Sequence, residues 1–219
     1  MRILVFGATG MVGQGAVHVA LRDPDVSAVV TVGRRATGEP HPKLREIVVG
    51  DLGQLSSVAA DLTGFDACFF SLGVSAAGMS EGDYARVTYD LTLRVAETLV
   101  RLNAHMTFIY VSGAGTDSTE HGRVMWARVK GRTENALLRL PFRAAFMFRP
   151  GLIQPLHGIR SRTRLYRAFY IVTAPLLPVV RALFPSQITT TDQIGHAMIA
   201  VTANGFPRPI LEQRDLARF

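Results

Sequence analysis

Six residues into the chain, the run Gly7-Ala8-Thr9-Gly10-Met11-Val12-Gly13 ends a short apolar stretch and opens a segment in which Val12, Ala16, Val19 and Ala20 recur at helical spacing. A strand, a glycine turn and a helix in immediate succession form half of a βαβ unit, so the chain is directed toward a parallel sheet covered by helices. Glycines at this junction permit the tight turn, let backbone approach a ligand and let the helix pack on the strand. The first amides of the helix are meanwhile left free to bind an anion. The loop therefore predicts a pyrophosphate site, with Gly7, Thr9, Gly10, Met11, Val12 and Gly13 as its contacts. Its spacing is Gly-x-x-Gly-x-x-Gly and not Gly-x-Gly-x-x-Gly.

The rest of the chain repeats the alternation. Apolar runs bounded by turn residues lie at Ile3 to Phe6, Ala28 to Val32, Glu46 to Val49, Ala67 to Ser71, Thr107 to Val111 and Ala144 to Phe148. Between them, Tyr84 to Leu102 and Val124 to Leu138 carry apolar residues every three or four positions, and a last helix is predicted from an Asp192 cap to about Ala203. The expected fold class is α/β, a doubly wound parallel sheet. At 219 residues the chain suits one domain. Beyond Pro150 prolines break the rhythm, and residues 152–219 are expected to cover the substrate side of the sheet's carboxyl edge, where such folds bind ligands.

The second strand ends in Thr31-Val32-Gly33-Arg34-Arg35. A site for NAD usually places an acid here, to bind the ribose 2′-hydroxyl, whereas a 2′-phosphate calls for arginine. Arg34 and Arg35 thus favour NADP(H) over NAD(H), and Glu39 lies too far along the loop to serve equally well. The 24 basic residues against 17 acidic ones are nearly all arginine and form no concentrated run, which argues against nucleic acid. Cys68 has no partner for a disulfide, and none of the six histidines pair at helical metal-ligand spacing, so no metal is expected. The stretch from Phe169 to Phe184 contains Pro175, Pro178 and Arg181 and is too short to span a bilayer, so it reads as buried or interfacial helix. It also offers a face on which a homodimer could form. With no secretory pattern before Gly7, the expected location is cytoplasmic.

Taken with Gly50-Asp51-Leu52 and the run FFSLGVS from Phe69, these features resemble the atypical and extended short-chain dehydrogenases. YVSGAGTD from Tyr110, WARVKGRTE from Trp126 and FRPGLI from Phe148 are most similar to their small Tat-interacting-protein-like subgroup, which is close to the epimerase-dehydratase-like proteins. The resemblance implies that Asp51 and Leu52 contact the adenine and that Leu72 and Gly73 line the cofactor. It further implies that Lys130 holds the nicotinamide ribose, that Arg149, Pro150 and Gly151 pass beside the nicotinamide, and that Ser112 is the active-site serine.

One position departs from the pattern. Four residues before its lysine the family carries a tyrosine whose phenol moves the proton that accompanies hydride transfer, and here that residue is Trp126. An indole N–H donates a hydrogen bond but has no acid-base chemistry near neutral pH. His121, Tyr110, Tyr89 and Asp117 are the other proton-carrying residues nearby, each with an ordinary structural reading as loop, core or turn residue. Two functions follow: an NADP(H)-dependent oxidoreductase on a small carbonyl or hydroxyl substrate, or a cofactor-sensing regulatory or scaffold protein that has lost catalysis.

Overall fold

The computed structural model describes residues 1–159 and 187–219. Seven parallel strands form its main sheet: β1 (Arg2–Phe6), β2 (Ala28–Gly33), β3 (Leu44–Val48), β4 (Ala67–Phe70), β5 (Thr107–Val111), β6 (Ala144–Arg149) and β9 (Ile210–Glu212). Their order is β3-β2-β1-β4-β5-β6-β9. The chain starts in the middle, winds outward to one edge and then crosses to build the other half. That reversal leaves a crevice at the carboxyl ends of β1 and β4. Two further strands, β7 (Leu152–Gln154) and β8 (Ile188–Thr190), pair in a separate ribbon.

Because successive strand residues face opposite ways, the central strands divide their side chains between two cores. Ile3, Val5, Phe69, Ile109 and Phe148 pack with α1 (Met11–Arg22) and α5 (Thr191–Asn204). Leu4, Phe6, Phe70, Phe108 and Tyr110 face the other layer, to which α3 (Leu91–Leu102) contributes Val95 and Leu99 and α4 (Met125–Leu138) contributes Leu137. Burial on both sides explains why these strands are continuously apolar.

Several elements differ from expectation for local reasons. The helix predicted from Tyr84 to Leu102 is composite: α2 (Glu81–Ala85) runs into a π-helical turn at Arg86–Asp90 before α3 begins. A wider turn keeps apolar residues on the same side, so spacing alone does not reveal it. The last helix is capped by Thr190, whose hydroxyl accepts from the Gln193 amide while the Gln193 side chain accepts from the Thr190 amide. This reciprocal cap displaces the expected Asp192 by two residues. The described part of the tail mostly completes the sheet and packs α5 on α1, and beyond Gly151 only Ile153 reaches the crevice. The helix expected from Phe169 to Phe184 lies outside the described residues. No helix among the described residues is long and apolar enough to cross a membrane. A short helix, α6 (Gln213–Leu216), ends the fold.

Candidate functional site

The crevice is a groove of about 1490 Å³ that runs from the end of β2 past the glycine loop to the start of α4. At its floor Gly7 adopts a left-handed conformation (φ 84°), and a side chain there would sit 2.7 Å from the backbone of Ser71 and Leu72. At Gly13 a side chain would meet the Gly7 carbonyl at 2.2 Å. The loop is thus packed to backbone contact and is closed by the Gly10 amide donating to the Gly7 carbonyl at 2.9 Å. Gly10 precedes α1 without a side-chain cap, and the first turn of α1 carries no acid, whereas α2, α5 and α6 all do. An uncapped, acid-free N-terminus facing the groove leaves both amides and dipole available to an anion, which fits a pyrophosphate.

At one end of the groove, Arg34 and Arg35 are exposed on its rim, and neither joins an ion pair among the described residues. Their loop is anchored from below by Glu46 on β3, opposite Thr31 in the register. Glu46 accepts from the Thr37 amide at 2.5 Å, the Gly38 amide at 3.0 Å and the Thr31 hydroxyl at 3.2 Å. Burial raises its pKa, but these hydrogen bonds more than offset that and hold the carboxyl below its ordinary value. Asp51 and Leu52 line the same end, and Leu72 and Gly73 line the middle.

At the other end α4 presents Trp126 and Lys130 to the groove, one helical turn apart, facing Ser112, Gly113, Pro150 and Gly151. The Lys130 ammonium donates to the Ser112 carbonyl. Burial pushes the Lys130 pKa down to about 8, against an upward pull from the Glu134 carboxylate. The Ser112 hydroxyl donates to Glu134 Oε1 at 2.5 Å and also lies 3.2 Å from the Phe148 carbonyl. Its hydrogen is therefore directed into the protein.

Glu134 is wholly buried, although the sequence allows Lys130 and Glu134 to be read as a surface pair. Arg149, expected beside the nicotinamide, is placed elsewhere. Its guanidinium binds both oxygens of Glu134, reaches Glu212 Oε1 at 3.1 Å and Ser118 Oγ at 2.5 Å, and does not line the groove. A buried arginine requires such partners, and the acids on α4 and β9 supply them. Of the expected segment, Pro150 and Gly151 do line the groove.

The four proton carriers separate clearly. His121 is exposed in a loop, and Asp117 binds the Thr119 and Gly122 amides as a turn residue. Tyr89 lies under the Arg132 guanidinium at 3.9 Å, outside the groove lining. Tyr110 is buried, and desolvation together with nearby Tyr84 and Glu134 raises its pKa far beyond the ordinary range. The residue that sequence reasoning passed over is Tyr84, which was assigned to an apolar helix stripe and is the one tyrosine among the groove-lining residues described.

Away from the groove, His18, His157 and Asp192 come together, a proximity that helical spacing cannot reveal. The two rings stack at 4.0 Å with planes 19° apart, so their in-plane lone pairs do not converge on one point, and Arg22 occupies His18 Nδ1. This is a polar contact between α1, α5 and the segment after β7.

Comparison with known proteins agrees with the geometry. A family model described as NAD(P)H-binding matches residues 7–137. The mitochondrial protein fmp52 of Emericella nidulans is 31% identical over 205 residues, covering 90% of this chain and 85% of that protein. Mitochondrial FMP52 of Chaetomium globosum is 27% identical over 153 residues, covering 68% of this chain and 65% of its own. The chain therefore matches just under two thirds of that second relative. The mitochondrial naming of these relatives overturns the cytoplasmic expectation, because the lack of a secretory pattern speaks only of the secretory route.

Among solved structures, an oxidoreductase of the short chain dehydrogenase/reductase family from Burkholderia thailandensis superposes with a TM-score of 0.70 at 15% identity, over 98% of this chain and 91% of that one. The Bordetella bronchiseptica enzyme WbmF in complex with NAD+ does so with a TM-score of 0.68 at 17% identity, over 99% and 76%. Sheet order, glycine loop and matched segment converge on one groove: the chain has the Rossmann fold seen in those solved structures and belongs to the NAD(P)H-binding family.

Proposed function

We propose that the groove binds NADP(H) in preference to NAD(H), and that the protein is an oxidoreductase of the atypical short-chain type acting on a small carbonyl or hydroxyl compound. The observation that carries the cofactor preference is the rim at the end of β2: two arginines that join no ion pair among the described residues, with the nearby carboxylate of Glu46 consumed by its own loop. A 2′-phosphate supplies the negative charge those guanidinia lack, whereas the carboxylate held under this loop, Glu46, has its oxygens engaged and is not offered to a ribose hydroxyl.

In this reading the amides of Met11, Val12 and Gly13 hold the pyrophosphate, with Gly7, Thr9 and Gly10 shaping the loop. Asp51 and Leu52 bound the adenine, and Leu72 and Gly73 the middle of the cofactor. Lys130 spends one of its three donors on the Ser112 carbonyl and has others for the nicotinamide ribose. Pro150 and Gly151 flank the nicotinamide, which supplies or accepts the hydride when bound. Trp126, at the position of the family tyrosine, donates its indole N–H and excludes water but moves no proton. Tyr84 contributes to the groove wall but is almost wholly buried, so no proton-transfer role is assigned to it.

A second reading, a cofactor-sensing regulatory or scaffold protein, is favoured by the same end of the site. Trp126 replaces the proton donor, and the Ser112 hydroxyl is turned onto Glu134 and away from a substrate carbonyl. Titrating the protein with NADPH, NADP, NADH and NAD while following emission of Trp126, its single tryptophan, tests the cofactor. Saturable quenching that is tighter for the phosphorylated pair is expected, and equal affinities would sink the NADP(H) assignment. NADPH oxidation with a panel of small aldehydes and ketones then separates the functions. Turnover lowered by Lys130→Ala, with a smaller loss of NADPH affinity, supports the enzyme. No turnover, combined with nucleotide-dependent self-association or partner association, supports the sensor.

A further inference from the structure

Glu134 does more than neutralise Arg149. It lies one helical turn beyond Lys130 on α4, wholly buried, and its carboxylate is held on two sides by groups from different strands: the Ser112 hydroxyl at the end of β5 and the Arg149 guanidinium at the end of β6. Lys130, from the preceding turn of the same helix, binds the Ser112 carbonyl. A single residue, Ser112, is therefore clasped through its side chain by Glu134 and through its backbone by Lys130. Arg149 is itself fixed by Glu212 on β9 and by Ser118, so the carboxylate cannot swing away without unpairing a buried guanidinium.

We infer that Glu134 is the positioning residue of this groove: it supplies, from inside the protein, the fixed negative charge that governs Lys130 and the acceptor that keeps the Ser112 hydroxyl out of the groove. Other titratable groups share the region. Tyr110 lies on β5, Tyr84 on α2, and Arg149 and Glu212 lie beyond Glu134. Glu134 stands one helical turn from Lys130, and its charge opposes the effect of burial on the ammonium. Removing a negative charge destabilises a nearby ammonium, so losing the carboxylate lowers the pH at which Lys130 gives up its proton.

The protein has two lysines, Lys43 and Lys130, which makes this directly measurable. Lysines carrying ¹³C-methyl groups introduced by reductive methylation are titrated by NMR in the wild type and in Glu134→Gln, with Lys130→Arg identifying the signal. The expected result is a Lys130 midpoint lowered by about one pH unit, as for loss of an adjacent opposite charge, with Lys43 unmoved. Where Glu134→Gln does not fold, Glu134→Gln/Arg149→Gln is compared with Arg149→Gln, from which it differs only by the carboxylate, and the midpoint is expected to be lower in the double variant. A Lys130 midpoint unmoved by loss of the Glu134 carboxylate, in Glu134→Gln against wild type or in the double variant against Arg149→Gln, overturns the inference.

The consequence for binding rests on the NADP(H) reading and has its own readout. NADPH affinity followed by Trp126 emission is expected to fall with rising pH, at a lower pH in the variant than in the wild type. If the Lys130 midpoint moves while no nucleotide binds at any pH, the role of Glu134 stands and the cofactor reading falls.

Discussion

Lys130 is the residue on which chemistry and environment meet most closely. Its ammonium is charged below about pH 8 and loses the proton above it, because burial favours the neutral amine. NADPH affinity is therefore expected to weaken as pH rises through about 8, and Lys130→Arg, which stays charged, is expected to remove that dependence even if the absolute affinity changes. A titration of Trp126 emission between pH 6 and pH 9.5 checks both. At the opposite end of the groove, Arg34→Ala and Arg35→Ala each delete a charged donor to the proposed 2′-phosphate. Each is expected to cost roughly 10- to 100-fold in NADPH affinity, in line with about 1.5–3 kcal/mol for a hydrogen bond to a charged group, while NADH binding changes little. A parallel loss for NADH would mean that the arginines act on something other than the phosphate. Trp126→Tyr restores a phenol one turn before Lys130, and the expected outcome is a gain in carbonyl-dependent NADPH oxidation.

Elements differ in how much of them was legible. The strands from β1 to β6 are apolar runs bounded by turn residues, and that pattern survives any ambiguity in register. The three-residue strands β7, β8 and β9 are too short for a period to show, and the π-helical turn shares the spacing of the helix around it. The glycine loop could be read because close backbone packing leaves only glycine at defined positions. Gly13→Ala places a methyl group against the Gly7 carbonyl, which must shift. The expected result is a folded protein, by circular dichroism, that no longer quenches on adding NADPH. The Thr190 cap makes a simpler case: Thr190→Ala removes the acceptor for the Gln193 amide and is expected to cost about 1 kcal/mol in urea unfolding.

For the molecule as a whole, a ligand that binds only the folded state stabilises it by mass action. NADPH at one hundred times its dissociation constant adds about 2.7 kcal/mol, an expected Tm rise of roughly 5–10 °C for a chain of this size, and NADH at the same concentration should give less. The nucleotide half of the groove was legible because its residues lie within one or two turns of strand ends. The other half depends on contacts across long stretches of sequence. Spacing shows that Lys130 and Glu134 are neighbours on a helix, but only the packed sheet shows that Arg149, and not solvent, is what Glu134 faces.

Arg149 is joined to Glu212 across 63 residues, and this separation matters while the chain is being made. At ribosomal speeds of about 5–20 residues per second, Arg149 precedes its second partner by roughly 3 to 13 seconds. During that interval the nascent sheet ends at β6, with an unpaired edge and a guanidinium short of one hydrogen-bond partner. Growth slowed over residues 150–212 prolongs the exposure of that edge, so synonymous codon choice in this stretch is a lever on yield that leaves the finished protein unchanged.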